Sequence, residues 1–407
     1  MSHAFTLRTN ILNPVSSDQV ELLPNSIITV DAGKIISVIP ATDNIKADVE
    51  FPGCIAIPGL VDVHVHLSQY HIRGHYRGAL LPWLSDFVFP EEALSSDYDY
   101  AYNLAEVFFQ ALYKAGTTTA VIYTAPFRSA CEAAFEAAYL QNYRAFIGMT
   151  LMDQNSPAGL IQQTHQAMDD CTALIAEYHD PASGLQYIFT PRFAPTCTME
   201  LMQWIGATAR KQKIWVQTHL SENPDEIEWV KALFKADSYT EVYQKAGILT
   251  DRTILAHCIH MSAKELDLLK ATGCRIAHCP DSNFYLRSGE FPLAAVREKQ
   301  IPFALGSDVG AGTTLNMLYH SKMFNFRQST APVCAEEAFY RATLGGAEML
   351  DLAAVIGSIT PGKDADFVLL DLPSESNSLS RDLVSELVFT GHEWNIRQVY
   401  SRGIRKI

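Results

Sequence analysis

The sequence predicts an α/β fold: a (β/α)8 TIM barrel with a small β-sandwich domain formed by the N- and C-terminal segments. Three observations lead there. Between residues 58 and 358, apolar runs of strand length alternate with amphipathic helical stretches, the pattern of repeated βαβ units. Eight such runs stand out, at 60–66, 118–124, 145–151, 186–190, 214–219, 253–257, 275–278 and 302–306, and eight is the number that closes a barrel. Several of them end in a histidine or run into an aspartate, and strand C-termini are what a barrel gathers into one mouth.

Taken in order, residues 1–57 read as short strands broken by turns, with apolar segments at 26–30 and 35–39 flanking Asp31-Ala32-Gly33-Lys34. This predicts a hairpin outside the barrel. The barrel segment follows at 58–358. After Pro361-Gly362-Lys363 strands return, at 365–371 and 396–400. The segments 1–57 and 359–407 are therefore expected to meet in one small β domain. The Ser- and Pro-rich stretch at 372–380 predicts a surface loop.

Bulk properties narrow the function classes. The chain has 407 residues, of which 48% are hydrophobic and 19% charged, enough for a large core and too apolar for disorder. A net charge of −14 is the opposite of the basic footprint a polyanion needs, so no nucleic-acid partner is expected and a small neutral substrate suits the chain better. The first ten residues lack a basic start followed by an apolar run, and no segment reaches membrane-spanning length. A cytoplasmic protein without a membrane partner is expected. The eight cysteines show no paired framework and read as reduced, mostly buried thiols.

The chemistry concentrates at strand ends. His64 and His66 close the run Leu60-Val61-Asp62-Val63-His64-Val65-His66, and a spacing of two puts both imidazoles on one side of a strand. His219 ends a second run and His257 a third, while Asp308 follows a fourth. Nitrogen donors with one carboxylate and room for water fit a single Zn2+ per subunit, with Fe2+ as an alternative. His64, His66, His219 and Asp308 are the expected ligands. His257 is either a fifth ligand or a group that hydrogen-bonds the reacting water. A bridging lysine for a second metal has no candidate, because Lys114, Lys211 and Lys213 all precede strands rather than end them. Glu222, three residues past His219, reaches beside the metal without competing for it and is the expected acid–base group, with Asp308 and His257 as its catalytic companions. His278 is left open between the edge of the site and ordinary packing.

These residues also carry a resemblance. Pro58-Gly59-Leu60-Val61-Asp62-x-His64-x-His66-x-x-Gln69, Thr190-Pro191-Arg192-Phe193, Thr218-His219-Leu220-Ser221-Glu222-Asn223, Ala256-His257-Cys258, Cys279-Pro280-x-Ser282-Asn283 and Gly306-Ser307-Asp308-Val309-Gly310-Ala311-Gly312 resemble the amidohydrolase superfamily, and within it the branch that deaminates guanine. The likeness runs from about residue 55 to the end, with Pro82 and Asp281 as departures where Glu and a neutral residue are expected. It implies hydrolysis of guanine to xanthine and ammonia by a zinc-dependent homodimer. It also implies that Gln69, Arg192 and Phe193 hold the purine, together with Trp83, His219 and Glu222. The side chains suit that role, since Arg donates to a carbonyl and a ring nitrogen, Gln both donates and accepts, and Phe offers a ring face.

Overall fold

A computed structural model describes residues 4–42, 44–373, 379 and 382–407. The fold class is the one expected. Eight parallel strands, Leu60–His66, Thr117–Tyr123, Arg144–Gly148, Leu185–Pro191, Trp215–Leu220, Thr253–His257, Arg275–His278 and Phe303–Leu305, follow one another around a barrel. A two-residue strand, Thr150–Leu151, extends the pairing to the fourth. Most of the 372–380 stretch lies outside the described residues.

Each strand forms because its neighbours bury both faces. Val121, Phe146, Ile188, Trp215, Ile254, Ala277 and Ala304 fill the barrel interior, capped from below by Met349 and Ile356. The alternate residues pack outward under the helices, Ile122 and Ile147 against Phe109 and Phe135 for example. The helices are delimited by local chemistry. Ser262 and Glu265 form a capping box at the start of Ala263–Thr272, which Gly273 ends in the left-handed conformation.

The alternation of the first strand changes phase midway. Val61 and Val63 belong to the interior, whereas Val65 and Leu67 belong to the outer layer, and pairing with the second strand slips between Asp62 and Val65. The extra residue of this β-bulge turns His64 as well as His66 toward the mouth. The eighth strand meets the first at the same level: Asp308 N–H donates to the His64 carbonyl at 2.8 Å and His66 N–H to the Val309 carbonyl at 2.8 Å. Below them, Asp62 Oδ1 accepts from the backbone N–H of Ser307 at 2.9 Å and of His64 at 3.2 Å.

The terminal segments form a seven-stranded sheet in the order Ile404–Arg405, Ile396–Ser401, Phe367–Asp371, Val49–Pro58, Phe5–Ser16, Gln19–Asp31, Lys34–Pro40. The hairpin around Ala32-Gly33 is present. Phe5–Ser16 and Val49–Pro58 are longer than the short strands read from sequence. Their Asn and Pro residues disguise the pattern, and Asn10 is satisfied across the sheet, donating to the Cys54 carbonyl at 3.0 Å and accepting from Asn25 N–H at 3.0 Å. Buried Arg144 ties this sheet to the barrel through Asp364 at 2.6 Å and Asp366 at 3.3 Å. Among the described residues no helix is long and apolar enough to cross a membrane.

Candidate active site

The C-terminal ends of the barrel strands bring His64, His66, His219 and Asp308 together, with their ligand atoms all within 4.8 Å of one another. His64 Nε2 and His66 Nε2 are 3.2 Å apart, and each is 3.2 Å from Asp308 Oδ1. His257 Nε2 approaches Asp308 Oδ2 at 3.8 Å and Glu222 Oε2 at 3.6 Å. His257 therefore stands between the carboxylates, and the alternatives of fifth ligand and water-orienting group both fit its place. The ring of Tyr123 packs against His64, His66 and His219.

Two of these residues reach the site by breaking strand geometry. Leu255 faces the outer layer and Ala256 the interior, so plain alternation would send His257 outward. A φ of +70° at His257, followed by +49° at Cys258, redirects it. Asp308 has a φ of +51°. Such left-handed conformations cost on the order of 1–3 kcal/mol each and persist where surrounding bonds impose them. Here those bonds include Cys258 N–H to the Leu220 carbonyl at 2.9 Å. The loop after Asp308 then turns back so closely that a Cβ on Gly312 would fall 1.7 Å from the Ser307 carbonyl oxygen, which only glycine permits.

The protonation pattern suits a cation. His219 Nδ1–H donates to the Arg192 carbonyl at 2.6 Å and His257 Nδ1–H to Asn283 Oδ1 at 2.9 Å. These bonds leave both Nε2 lone pairs facing inward. Burial first, then the neighbouring imidazoles, hold His219 well below its ordinary pKa, and burial lowers His66 to about 4. Burial opposes the charge on Asp308, yet hydrogen bonds from His64 and His66 outweigh it and keep the carboxylate far below the usual range. Imidazole nitrogens and an ionised carboxylate converging on one point are the donor set of a divalent metal.

Glu222 behaves differently. Burial, then the charge of Asp308, raises its pKa to about 8, so it keeps its proton at neutral pH while Asp308 has none. Two carboxyl groups driven apart in this way are suited to acid and base roles. Ser288 Oγ donates to Glu222 Oε1 at 2.9 Å, and Glu226 accepts the Glu222 backbone N–H at 3.1 Å.

Above the cluster lies a cleft whose lining includes Gln69, Trp83, Arg192, Phe193, Glu222 and His257. Every site residue singled out in the sequence borders it except His64, which lies beneath. His278 does not join them. Its ring stacks on Phe291 at 4.3 Å, and neither nitrogen finds a partner among the described residues. Asn283, Ser288, Glu226 and Glu92 were not assigned roles from sequence. Asn283 lies in the quoted Cys-Pro-x-Ser-Asn motif, so a signal existed; for the others no local spacing marks them.

Known proteins place the chain. The model of the amidohydrolase family matches residues 55–405. The guanine deaminase of Escherichia coli (strain K12) is 39% identical over 341 residues, covering 82% of this chain and 76% of that protein. The guanine deaminase of Dictyostelium discoideum is 34% identical over 97% of this chain and 96% of its own. A crystal structure of guanine deaminase from C. acetobutylicum with bound guanine in the active site superposes with a TM-score of 0.91 at 32% identity, covering 99% of this chain and all of that one.

Proposed function

The chain belongs to the amidohydrolase family, and from that premise we propose that its cleft binds guanine and hydrolyses it to xanthine and ammonia. One observation carries the proposal: the His–Asp cluster, the protonated Glu222 and a wall of Gln69, Arg192 and Phe193 share one cleft. Full-length similarity to guanine deaminases supports the choice of purine.

His64, His66, His219 and Asp308 hold one Zn2+, with His257 either completing the set or orienting water. The ion, when bound, supplies Lewis acidity, which in favourable sites lowers the pKa of water from about 15.7 to about 7. Asp308 accepts the proton that water loses as its oxygen bonds to C2. Glu222 donates its proton to the ring nitrogen beside C2, which makes that carbon electrophilic. As the C2–N bond breaks, the proton taken by Asp308 reaches the departing amine, the remaining hydroxyl proton passes to the Glu222 carboxylate as the C2 carbonyl forms, and ammonia leaves. Phe193 and Trp83 border the ring, and Arg192 with Gln69 bind its polar edge.

The same proposal divides the chain into a catalytic barrel at 58–358 and a small domain built from 1–57 and 359–407. It describes a cytoplasmic homodimer acting in purine salvage or catabolism, on the strength of family resemblance. The direct test is to supply guanine to zinc-loaded protein and follow ammonia release with the spectral change to xanthine, beside Glu222→Gln. Turnover by the wild type that the variant lacks supports the proposal, and a metal-replete wild type inert toward guanine refutes it.

A further inference from the structure

Behind the substrate wall stands a carboxylate that the proposed chemistry does not use. Glu92 is 1% exposed. Its Oε1 accepts from Gln69 Nε2 at 3.0 Å and from Ser68 Oγ at 3.4 Å, and its Oε2 accepts from Arg192 Nη1 at 2.7 Å. It does not border the cleft, whereas Gln69 and Arg192 do. We infer that Glu92 is a positioning residue that sets the hydrogen-bond polarity of the purine-binding wall and thereby selects a 6-oxopurine over a 6-aminopurine. The inference deepens the guanine proposal and rests on it.

Donor and acceptor complementarity at one pair of side chains makes the selection. A free glutamine amide can turn either end toward a ligand. Glu92 faces three donors, Ser68 Oγ, Gln69 Nε2 and Arg192 Nη1, and accepts from each, so the Gln69 amide gives its NH2 to Glu92 and turns its carbonyl end the other way, toward the cleft. Arg192 has donors only, and Glu92 fixes one of them, so the guanidinium is held in place while Arg192 borders the cleft. The wall then reads acceptor at Gln69 and donor at Arg192. A lactam edge, N1–H beside C6=O, is the complement of that pair. A 6-amino edge has the reverse polarity and would leave both buried groups opposed to like partners, a mismatch that hydrogen-bonding sites reject by large factors.

The test uses zinc-loaded full-length protein and two substrates carrying the same 2-amino leaving group, guanine and 2,6-diaminopurine, each followed by ammonia release. Wild type should favour guanine in kcat/KM by at least about 10³-fold. Glu92→Gln, whose side chain can donate as well as accept, should narrow that ratio by at least about tenfold, chiefly through a higher KM for guanine. Glu92→Asp keeps the charge but loses reach, and should fall between the two. If Glu92→Gln does not fold, Glu92→Asp and Gln69→Met carry the same comparison, because removing the oriented acceptor must also narrow the ratio. Variants that lose activity on both substrates by one factor, with the ratio intact, overturn the inference while leaving the guanine proposal standing. A wild type inert toward guanine removes the guanine proposal and the inference together.

Discussion

His219 donates its Nδ1 proton to the backbone carbonyl of Arg192 at 2.6 Å, while the side chain of Arg192 lines the cleft. One residue at the end of the fourth barrel strand thus fixes the tautomer of a proposed metal ligand and supplies a wall for the proposed substrate. The two functions share a rigid backbone atom, so the distance between metal and purine edge is set by the barrel rather than by a loop. The same logic recurs at His257, which takes its orientation from Asn283.

Replacing Asn283 by Ala removes the acceptor for His257 Nδ1–H. Outer partners of this kind typically contribute 10- to 100-fold in activity or metal affinity. Asn283→Ala should lower kcat by roughly that factor, with a smaller change in KM for guanine. An unchanged kcat in steady-state assays would show that the Asn283 contact does not hold His257 for the reaction.

The ligand set predicts the behaviour of the metal. His64→Ala or His66→Ala should retain well under one equivalent of zinc by elemental analysis and show no turnover. Stripping the wild type with a chelator should lower Tm, since a ligand held at 1,000 times its Kd stabilises the fold by about 4.1 kcal/mol. Full zinc occupancy in both variants would move the site elsewhere.

Glu222 dictates a pH dependence. Its pKa is raised to about 8 by burial and by Asp308. The proton needed for donation is therefore present through neutrality and lost as pH rises past that value, so kcat/KM should carry a descending alkaline limb. Ser288 Oγ donates to the ionised form and lowers the pKa; Ser288→Ala should shift the limb to higher pH. A limb that stays in place in Ser288→Ala would mean that it belongs to another group. Glu222→Gln should cost about 10²- to 10⁴-fold in kcat.

Arg144 joins the small sheet to the barrel through Asp364 and Asp366, and the side chain of Asp366 is 1% exposed. Arg144→Ala leaves those carboxylates without their buried partner, a change that typically costs about 3–5 kcal/mol. Urea unfolding should show a loss of that order, whereas a loss below about 1 kcal/mol would assign the join to other contacts.

Much of this protein is determined locally. Most barrel strands are apolar runs that turn polar near their C-termini, and each run identified in the sequence overlaps an observed strand. The spacing of His64 and His66 holds because two residues is one full strand period, whatever lies upstream. What only the tertiary structure decided is the set of contacts between distant segments. Glu92 meets Arg192 across 100 residues, Ser288 meets Glu222 across 66, and no local pattern encodes either. The bulge between Asp62 and Val65 and the left-handed turns at His257 and Asp308 likewise escape the sequence, since alternation alone points His257 away from the site. Those backbone states carry an energetic cost, and only the closed barrel, through bonds such as Asp308 N–H to the His64 carbonyl, can hold them.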